Sequence, residues 1–428
     1  MAENLRKSAF PKSIIDPYHP TVGLTDRAAY KLSSRSRMWL ICVCVGIAGL
    51  AVSLIGLVMD KIEHTHVFFP AYLIAWTFCT SISVGAIFFV IINHLTKARW
   101  SIVIRRIFEG LAFSMPMLAI LSIPILLGIH DIYHWSHAEL YTPGSPEFDQ
   151  IIYDKRVYLN APFFIARVLL YLGVWSFISW RLWTISIKQD VEGDPMAPVE
   201  FRKLSAWGLA VMAVTTAFAS FDLMMSTDPH WYSTIFGVYF FAGAFSTSIA
   251  LATFTALLLQ KQGDSLKGVV NKSHYLDLGK FMFGFTVFWA YIAFSQYMLI
   301  WYGNVPEETI WYRHRLEHGW EYLSAALLAF HFVLPFVILI SQGAKRILPL
   351  LAIMAVWFVV MQWLDHYWLV APSTIFYGGK HAAMSWVALS AAVGMFALYY
   401  GVFLYRMGRH SLVPYNDPRF EKSLHFHQ

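Results

Sequence analysis

Ten stretches of this chain, near residues 38 to 58, 68 to 92, 108 to 129, 162 to 186, 206 to 225, 232 to 259, 278 to 301, 320 to 340, 347 to 370 and 382 to 405, are apolar almost throughout. Each is long enough to cross roughly 30 Å of hydrocarbon as a helix. Lipid offers the backbone no hydrogen-bond partner, so runs of this kind are confined to helices. With 57% hydrophobic and only 14% charged residues over 428 positions, the chain lacks the polar surface that a soluble protein of this size needs. The predicted fold is an all-α, polytopic membrane protein of ten transmembrane helices. A polar tail (1–37) precedes the membrane domain (38–405), and a second tail (406–428) follows it. The first apolar run comes only after a long basic segment, so it is expected to stay as a span and not to be cleaved as a signal.

Lysine and arginine orient the chain. Of the 32, 24 fall in the two tails and the connections on their side; six (Lys61, Lys155, Arg156, Arg313, Arg315, Lys380) fall on the other side, and Arg167 and Lys280 lie within spans. The positive-inside rule then predicts both termini in the cytoplasm. On this reading the net charge of +6 is a consequence of topology and implies no nucleic-acid partner. Histidine shows the opposite bias, with His64, His66, His130, His134, His137, His230, His314, His318 and His381 on the outer side.

Two spans carry the same text. Ala210-Val-Met-Ala-Val214 precedes Asp222 and Pro229, and Ala352-Ile-Met-Ala-Val356 precedes Asp365 and Pro372, with the proline seven residues after the aspartate in both. Thr80-Ser-Ile82 matches Thr247-Ser-Ile249, and Glu109 stands where Lys280 stands in the second copy. Four spans separate the copies, so both run in the same direction, and parallel repeats are predicted. They form two four-helix bundles (about 68–225 and 232–370), with the first and tenth spans as flanking helices.

An aspartate at the centre of a spanning helix costs roughly 2.5 to 3.5 kcal/mol on insertion scales, so it needs polar company. Arg167, on the fourth span at a depth like that of Asp222, is the obvious partner, and a static ion pair is the first reading. Asp365 has no arginine at its level, which points to a proton-carrying role. Glu321, Ser324 and His331 fall on one stripe of the eighth span, and Asp277, Lys280 and Glu109 reach in from the cytoplasmic side. Together these residues outline a candidate proton path. The plainer alternative is a bonded core histidine between two unrelated interfacial charge clusters. Arg167, Asp222, His130 and His134 all lie toward the outer side, where they could line a pocket.

Cys42, Cys44 and Cys79 all lie inside spans and suggest neither disulfides nor a thiolate metal site. There is no C-x-x-C-H, no multi-cysteine cluster set and no Gly-rich phosphate loop. His331 and His366 sit at different depths, which argues against a b-type haem between them.

Two long segments carry a specific resemblance: Phe221–Gly237 (FDLMMSTDPHWYSTIFG) and Asp277–Thr309 (DLGKFMFGFTVFWAYIAFSQYMLIWYGNVPEET). Both resemble the ActF-type membrane subunits of bacterial alternative complex III, which belong with the NrfD and PsrC type of quinone-interacting membrane proteins. The run Leu364–Pro372 (LDHYWLVAP) is similar as well. The resemblance implies a ten-span subunit without a redox centre in a quinol oxidoreductase. Its partners would be a paralogous ActC-like subunit that holds the quinol site, iron–sulfur and multihaem cytochrome c subunits, and a cytochrome c or oxidase acceptor. It carries over Asp222, Asp228, Asp277, Lys280, Gln296, Tyr297, Glu307 and Glu308, and Asp365 through the internal repeat. The expected role is to support assembly and conduct protons. Two alternatives stay open. One is a quinone-binding catalytic subunit in its own right, in which Arg167, Asp222, His130 and His134 line an outer pocket and a carboxylate or imidazole takes the protons that a quinol loses with its electrons. The other is a secondary transporter, prompted by the repeats and the midplane polarity, against which no span is visibly broken at midplane by paired Gly and Pro although Pro116, Pro124 and Pro335 could kink theirs.

Overall fold

In a computed structural model that describes residues 37–63, 66–263, 266, 268–375 and 384–427, the chain is all-helical. Among the described residues ten helices are long and apolar enough to cross a membrane, and the protein is a multi-pass membrane protein. They are, in order, Met38–Ile62, Phe68–Leu95, Ile102–Leu127, Ala161–Glu192, Ala197–Thr227, Phe236–Lys261, Lys272–Gly303, Trp320–Leu339, Leu348–Ser373 and Trp386–Met407. Nearly all of the N-terminal tail, together with His64, Lys380 and His381, lies outside the described residues.

The second and sixth spans form the centre of the molecule, and they pack on each other through small residues. A Cβ added at Gly85 would lie 2.1 Å from the carbonyl oxygen of Ala244, so the two backbones touch. This is the small-residue packing that dispersion forces favour where lipid supplies no hydrophobic drive. Neighbours then close two rings, one of the second to fifth spans and one of the sixth to ninth. The first span packs chiefly on the tenth, with Gly49 and Gly394 face to face, and leaves its other side to lipid.

Helix lengths differ from the apolar runs where hydropathy carries no signal. The fourth and fifth spans continue as polar helix beyond the bilayer, so the connection expected over 187–205 shrinks to a turn at 193–196, where Gly193 takes a φ of +64°. Water can solvate the outside of such an extension while its backbone bonds persist. The third span is broken into Ile102–Ala112, Met115–Ile120 and Ile123–Leu127. Pro116 and Pro124 open the last two pieces, because a proline interrupts the bonding of the turn before it.

The C-terminal segment is no free tail. Leu412, Val413 and Phe420 are buried, the Ser423 hydroxyl donates to the Trp100 carbonyl at 2.7 Å, and Asn271 donates to the Phe426 carbonyl at 2.7 Å. This segment marks one end of the bundle, here the terminal face. Beneath it Arg105 meets Asp417 at 2.6 Å and Glu109 at 2.8 Å, and Arg106 meets Asp190 at 2.7 Å and Glu109 at 3.3 Å. With Arg419 on Asp417 at 2.9 Å, three cations balance three carboxylates in a sealed layer. Burial alone would raise the Asp417 carboxyl, but Arg105 and Arg419 outweigh it and hold the group well below the usual carboxylate range.

Candidate functional site

The two aspartates of the repeated text meet opposite surroundings. Asp222 is fully buried on the fifth span and is gripped by Arg167 of the fourth. Arg167 Nε donates to Oδ2 at 2.8 Å and Nη2 to Oδ1 at 2.9 Å, a bidentate fork, while the Tyr171 hydroxyl donates to Oδ2 at 2.8 Å. The remaining guanidinium nitrogen donates to the Tyr158 carbonyl at 2.9 Å, and the cation lies against the rings of Tyr158 and Phe163. Three donors and one countercharge satisfy this carboxylate, an arrangement suited to a fixed lock.

Asp365, on the ninth span and 1% exposed, has no cation partner among the described residues. The Tyr239 hydroxyl of the sixth span donates to Oδ1 at 2.5 Å, and Oδ2 is buried without a hydrogen-bond partner. Gly243 makes the room for this polar centre, since a Cβ there would come within 2.5 Å of the Gln362 amide. The neighbouring His366 donates through Nδ1 to the Gln362 carbonyl at 2.9 Å, while its Nε2 has no partner. Trp289 of the seventh span stands beside Tyr239 and stacks on His331, with ring centroids 5.7 and 4.1 Å apart respectively. His331 belongs to a π-helical stretch, Leu327–Val333, inside the eighth span. Such local widening is frequent at functional sites. The indole N–H of Trp289 is turned to the Asp365 carboxyl and the Tyr239 hydroxyl without close hydrogen-bond geometry to either, and Nδ1 of His331 is buried and unpartnered. Open hydrogen-bond valences of this kind are exceptions in a folded interior, and here they are gathered round one acid.

A cavity of about 540 Å³ adjoins this centre. Tyr239 and Trp289 line it together with Gln296, Tyr312, Glu321, Ser324 and Trp368. Glu321 accepts the Gly319 N–H at 2.8 Å, Ser324 accepts the Trp368 indole N–H at 2.7 Å, and Gln296 donates to the Tyr312 hydroxyl at 3.0 Å. The predicted stripe of the eighth span is therefore divided: Glu321 and Ser324 form cavity wall, and His331 lies deeper, against Trp289.

The other predicted residues go elsewhere. Glu109 sits in the ionic layer under the C-terminal segment, where the Ser186 hydroxyl also donates to it at 2.5 Å. Lys280 pairs with Asp277 at 3.0 Å one turn away. The proposed continuity of these groups with a central histidine is thus divided between two separate clusters. His130 and His134 do not complete a pocket with Arg167 and Asp222. They pack on His137, with centroids 3.9 and 5.7 Å apart, whereas the ion pair is enclosed by aromatic rings. Burial, then His137 and His230, hold the His134 imidazole below its usual range. Among the described residues no group of three or more His, Cys, Asp or Glu is placed to hold a metal ion.

Tyr239, Trp289 and Gln362 escape a reading that looks for charges, because an aromatic hydroxyl or indole raises no alarm in an apolar run. Tyr239 does have a signal, since it lies 167 residues after Tyr72, the same offset that relates Thr80 to Thr247. Arg315 is a second omission. Counted among outer loop charges, it is fully buried and donates to the carbonyls of Trp311 (2.9 Å), Trp368 (3.2 Å) and Leu369 (2.7 Å). It thereby caps the end of the ninth span, and burial brings its guanidinium down to about 9.

Compared with known proteins, the chain matches no family model, and no curated protein is significantly similar to it.

Proposed function

We propose that this chain is a cofactor-free membrane subunit of a quinol-oxidising respiratory assembly of the ActF type, and that its second half exchanges protons through Asp365. In this reading it lies in the bacterial inner membrane with both termini cytoplasmic, beside a paralogous ActC-like subunit. Iron–sulfur and multihaem cytochrome c subunits carry the electrons to cytochrome c or an oxidase. The long similar segments and the lysine and arginine asymmetry support the assignment.

The observation that carries the proton role is the carboxylate of Asp365, buried with only the Tyr239 hydroxyl in close hydrogen-bond contact, the Trp289 indole beside it, and no cation partner among the described residues. An isolated carboxylate anion in a dry interior is prohibitively costly, so such a group holds a proton or meets water. The open valences of His366 and His331 extend the polar environment that a moving proton needs. Asp222 cannot serve in the same way, because Arg167 and Tyr171 already occupy both its oxygens.

The test is Asp365→Asn in the native assembly, purified and reconstituted into vesicles. Quinol oxidation is expected to continue while proton release per electron falls about tenfold or more, the scale of a lost proton-transfer group. Unchanged proton release in an intact assembly would remove Asp365 from the pathway.

A further inference from the structure

We infer that a shallow groove on the lipid-facing side of the sixth and seventh spans holds one phospholipid with an ethanolamine headgroup, its phosphate on Lys280 and its ammonium on Asp277. The groove, of about 660 Å³, shares none of its described lining residues with the cavity beside Asp365. Its lining positions 277, 280, 281, 284, 285 and 288 recur at helical spacing, so one face of the seventh span forms most of its length. Phe281, Phe285 and Phe288, with Phe241 of the sixth span, make an apolar trough. The seventh-span rings extend over about 10 Å at 1.5 Å per residue. Gly284 keeps the trough open, since a Cβ there would have no neighbour within 4 Å. An acyl chain can lie in this trough without meeting a polar group.

The two charged residues stand at headgroup depth. They adjoin the start of the apolar run at 278, and Trp100 stacks on Phe281 with centroids 5.8 Å apart, an indole at the level such rings favour. Lys280 Nζ is 3.0 Å from Asp277, and the side chains are 46% and 12% exposed. A partly exposed pair of this kind contributes little to stability, so sharing its charges with a ligand costs little. No other charged residue lines the groove among the described residues. Lys345, which packs on Gly279, directs its ammonium to the Leu339 carbonyl at 2.7 Å. Sites for anionic lipids gather several cations, whereas one cation beside one anion complements a phosphate and an ammonium together. Choline lacks an N–H to donate to Asp277; an ethanolamine ammonium can form the charge-assisted bond.

Native mass spectrometry of the full-length chain tests the site, after delipidation in detergent and titration with phosphatidylethanolamine, phosphatidylcholine or phosphatidylglycerol of identical acyl chains. One phosphatidylethanolamine is expected to bind about tenfold more tightly than either of the others, a preference of about 1.4 kcal/mol. Asp277→Asn should erase the preference over phosphatidylcholine, and Lys280→Gln should weaken binding of all three. Gly284→Leu places its side chain in the open trough and should lower phosphatidylethanolamine binding about tenfold. A second measurement avoids delipidation: phosphatidylethanolamine carrying a diazirine in its acyl chain, in nanodiscs, should label peptides of the sixth and seventh spans, about tenfold less in Gly284→Leu. Equal binding of the three lipids, a preference for phosphatidylglycerol, or binding and labelling undiminished in Gly284→Leu would overturn the inference.

Discussion

The two halves of the membrane domain place an aspartate at the same point of the same short text, and they treat it in opposite ways. In the first half a cation from the adjacent span closes the carboxylate into a neutral, fully bonded group. In the second half the adjacent spans supply a tyrosine, an indole and a histidine, and a cavity adjoins them. Shared spacing along one helix therefore fixes depth, while the chemistry is set by what the neighbouring helices bring. Among the described residues, the cation that closes the first carboxylate has no counterpart beside the second.

The sharpest way to break this contrast is to remove that cation. Arg167→Leu leaves Asp222 buried and uncompensated, which should cost about 3 to 5 kcal/mol. The expected result is a large fall in thermal stability and in assembled protein. The double change Arg167→Leu with Asp222→Leu should recover much of the loss, because replacing both members of a buried pair by apolar groups is often close to neutral. If the single variant is as stable as the parent in detergent, Asp222 has another source of compensation and the lock reading fails.

A second contrast sets the ionic layer at the terminal face against the uncharged cavity. Asp417 is held well below the ordinary carboxylate range by Arg105 and Arg419 against the opposing effect of burial. For a depressed acid the stabilisation is complete above its unfolded value, near 3.9, and is lost only as pH falls through the lower folded value. Docking of the C-terminal segment should therefore persist through mildly acidic pH and fail only in strong acid. Asp417→Asn should loosen the segment by about 1 to 3 kcal/mol at neutral pH, seen as faster amide exchange over 408–427. Equal protection in variant and parent would show that apolar contacts of Leu412, Val413 and Phe420 suffice.

Much of the fold is legible in the sequence because hydrocarbon permits one solution for an apolar run. Among the described residues ten runs give ten helices; their limits shift where polar helix continues past the apolar run, the tenth begins later, at Trp386, and Pro116 and Pro124 break the third. The pairing of Arg167 with Asp222 is legible for the same reason: two opposite charges at one depth in adjacent spans have few other options. The second site is legible only in part. Asp365 and the stripe through Glu321, Ser324 and His331 can be read from spacing, but the cavity is a property of packing that no single run records. Nor does the sequence distinguish Glu109, sealed under a folded C-terminal segment, from a group that faces a path, since that depends on where a distant polar tail docks. Arg315 misleads for a related reason. Its neighbours are loop residues, and only the tertiary fold brings the ninth span's carbonyls to it.

The smallest expected effect isolates the one hydrogen bond that Asp365 receives. Tyr239→Phe removes the hydroxyl 2.5 Å from Oδ1 while keeping the ring that packs near Trp289. The loss of one buried bond is worth about 1 kcal/mol, well below the cost predicted for Arg167→Leu, because no bare charge is left behind. The variant should fold and assemble, and its signature should be spectroscopic. The carboxyl stretching band assigned to Asp365 by its disappearance in Asp365→Asn should shift when the tyrosine hydroxyl is gone, while the Arg167–Asp222 pair is untouched. A Tyr239→Phe effect on stability as large as that of Arg167→Leu would mean that the second carboxylate is held as a locked anion, and the difference between the two halves would disappear.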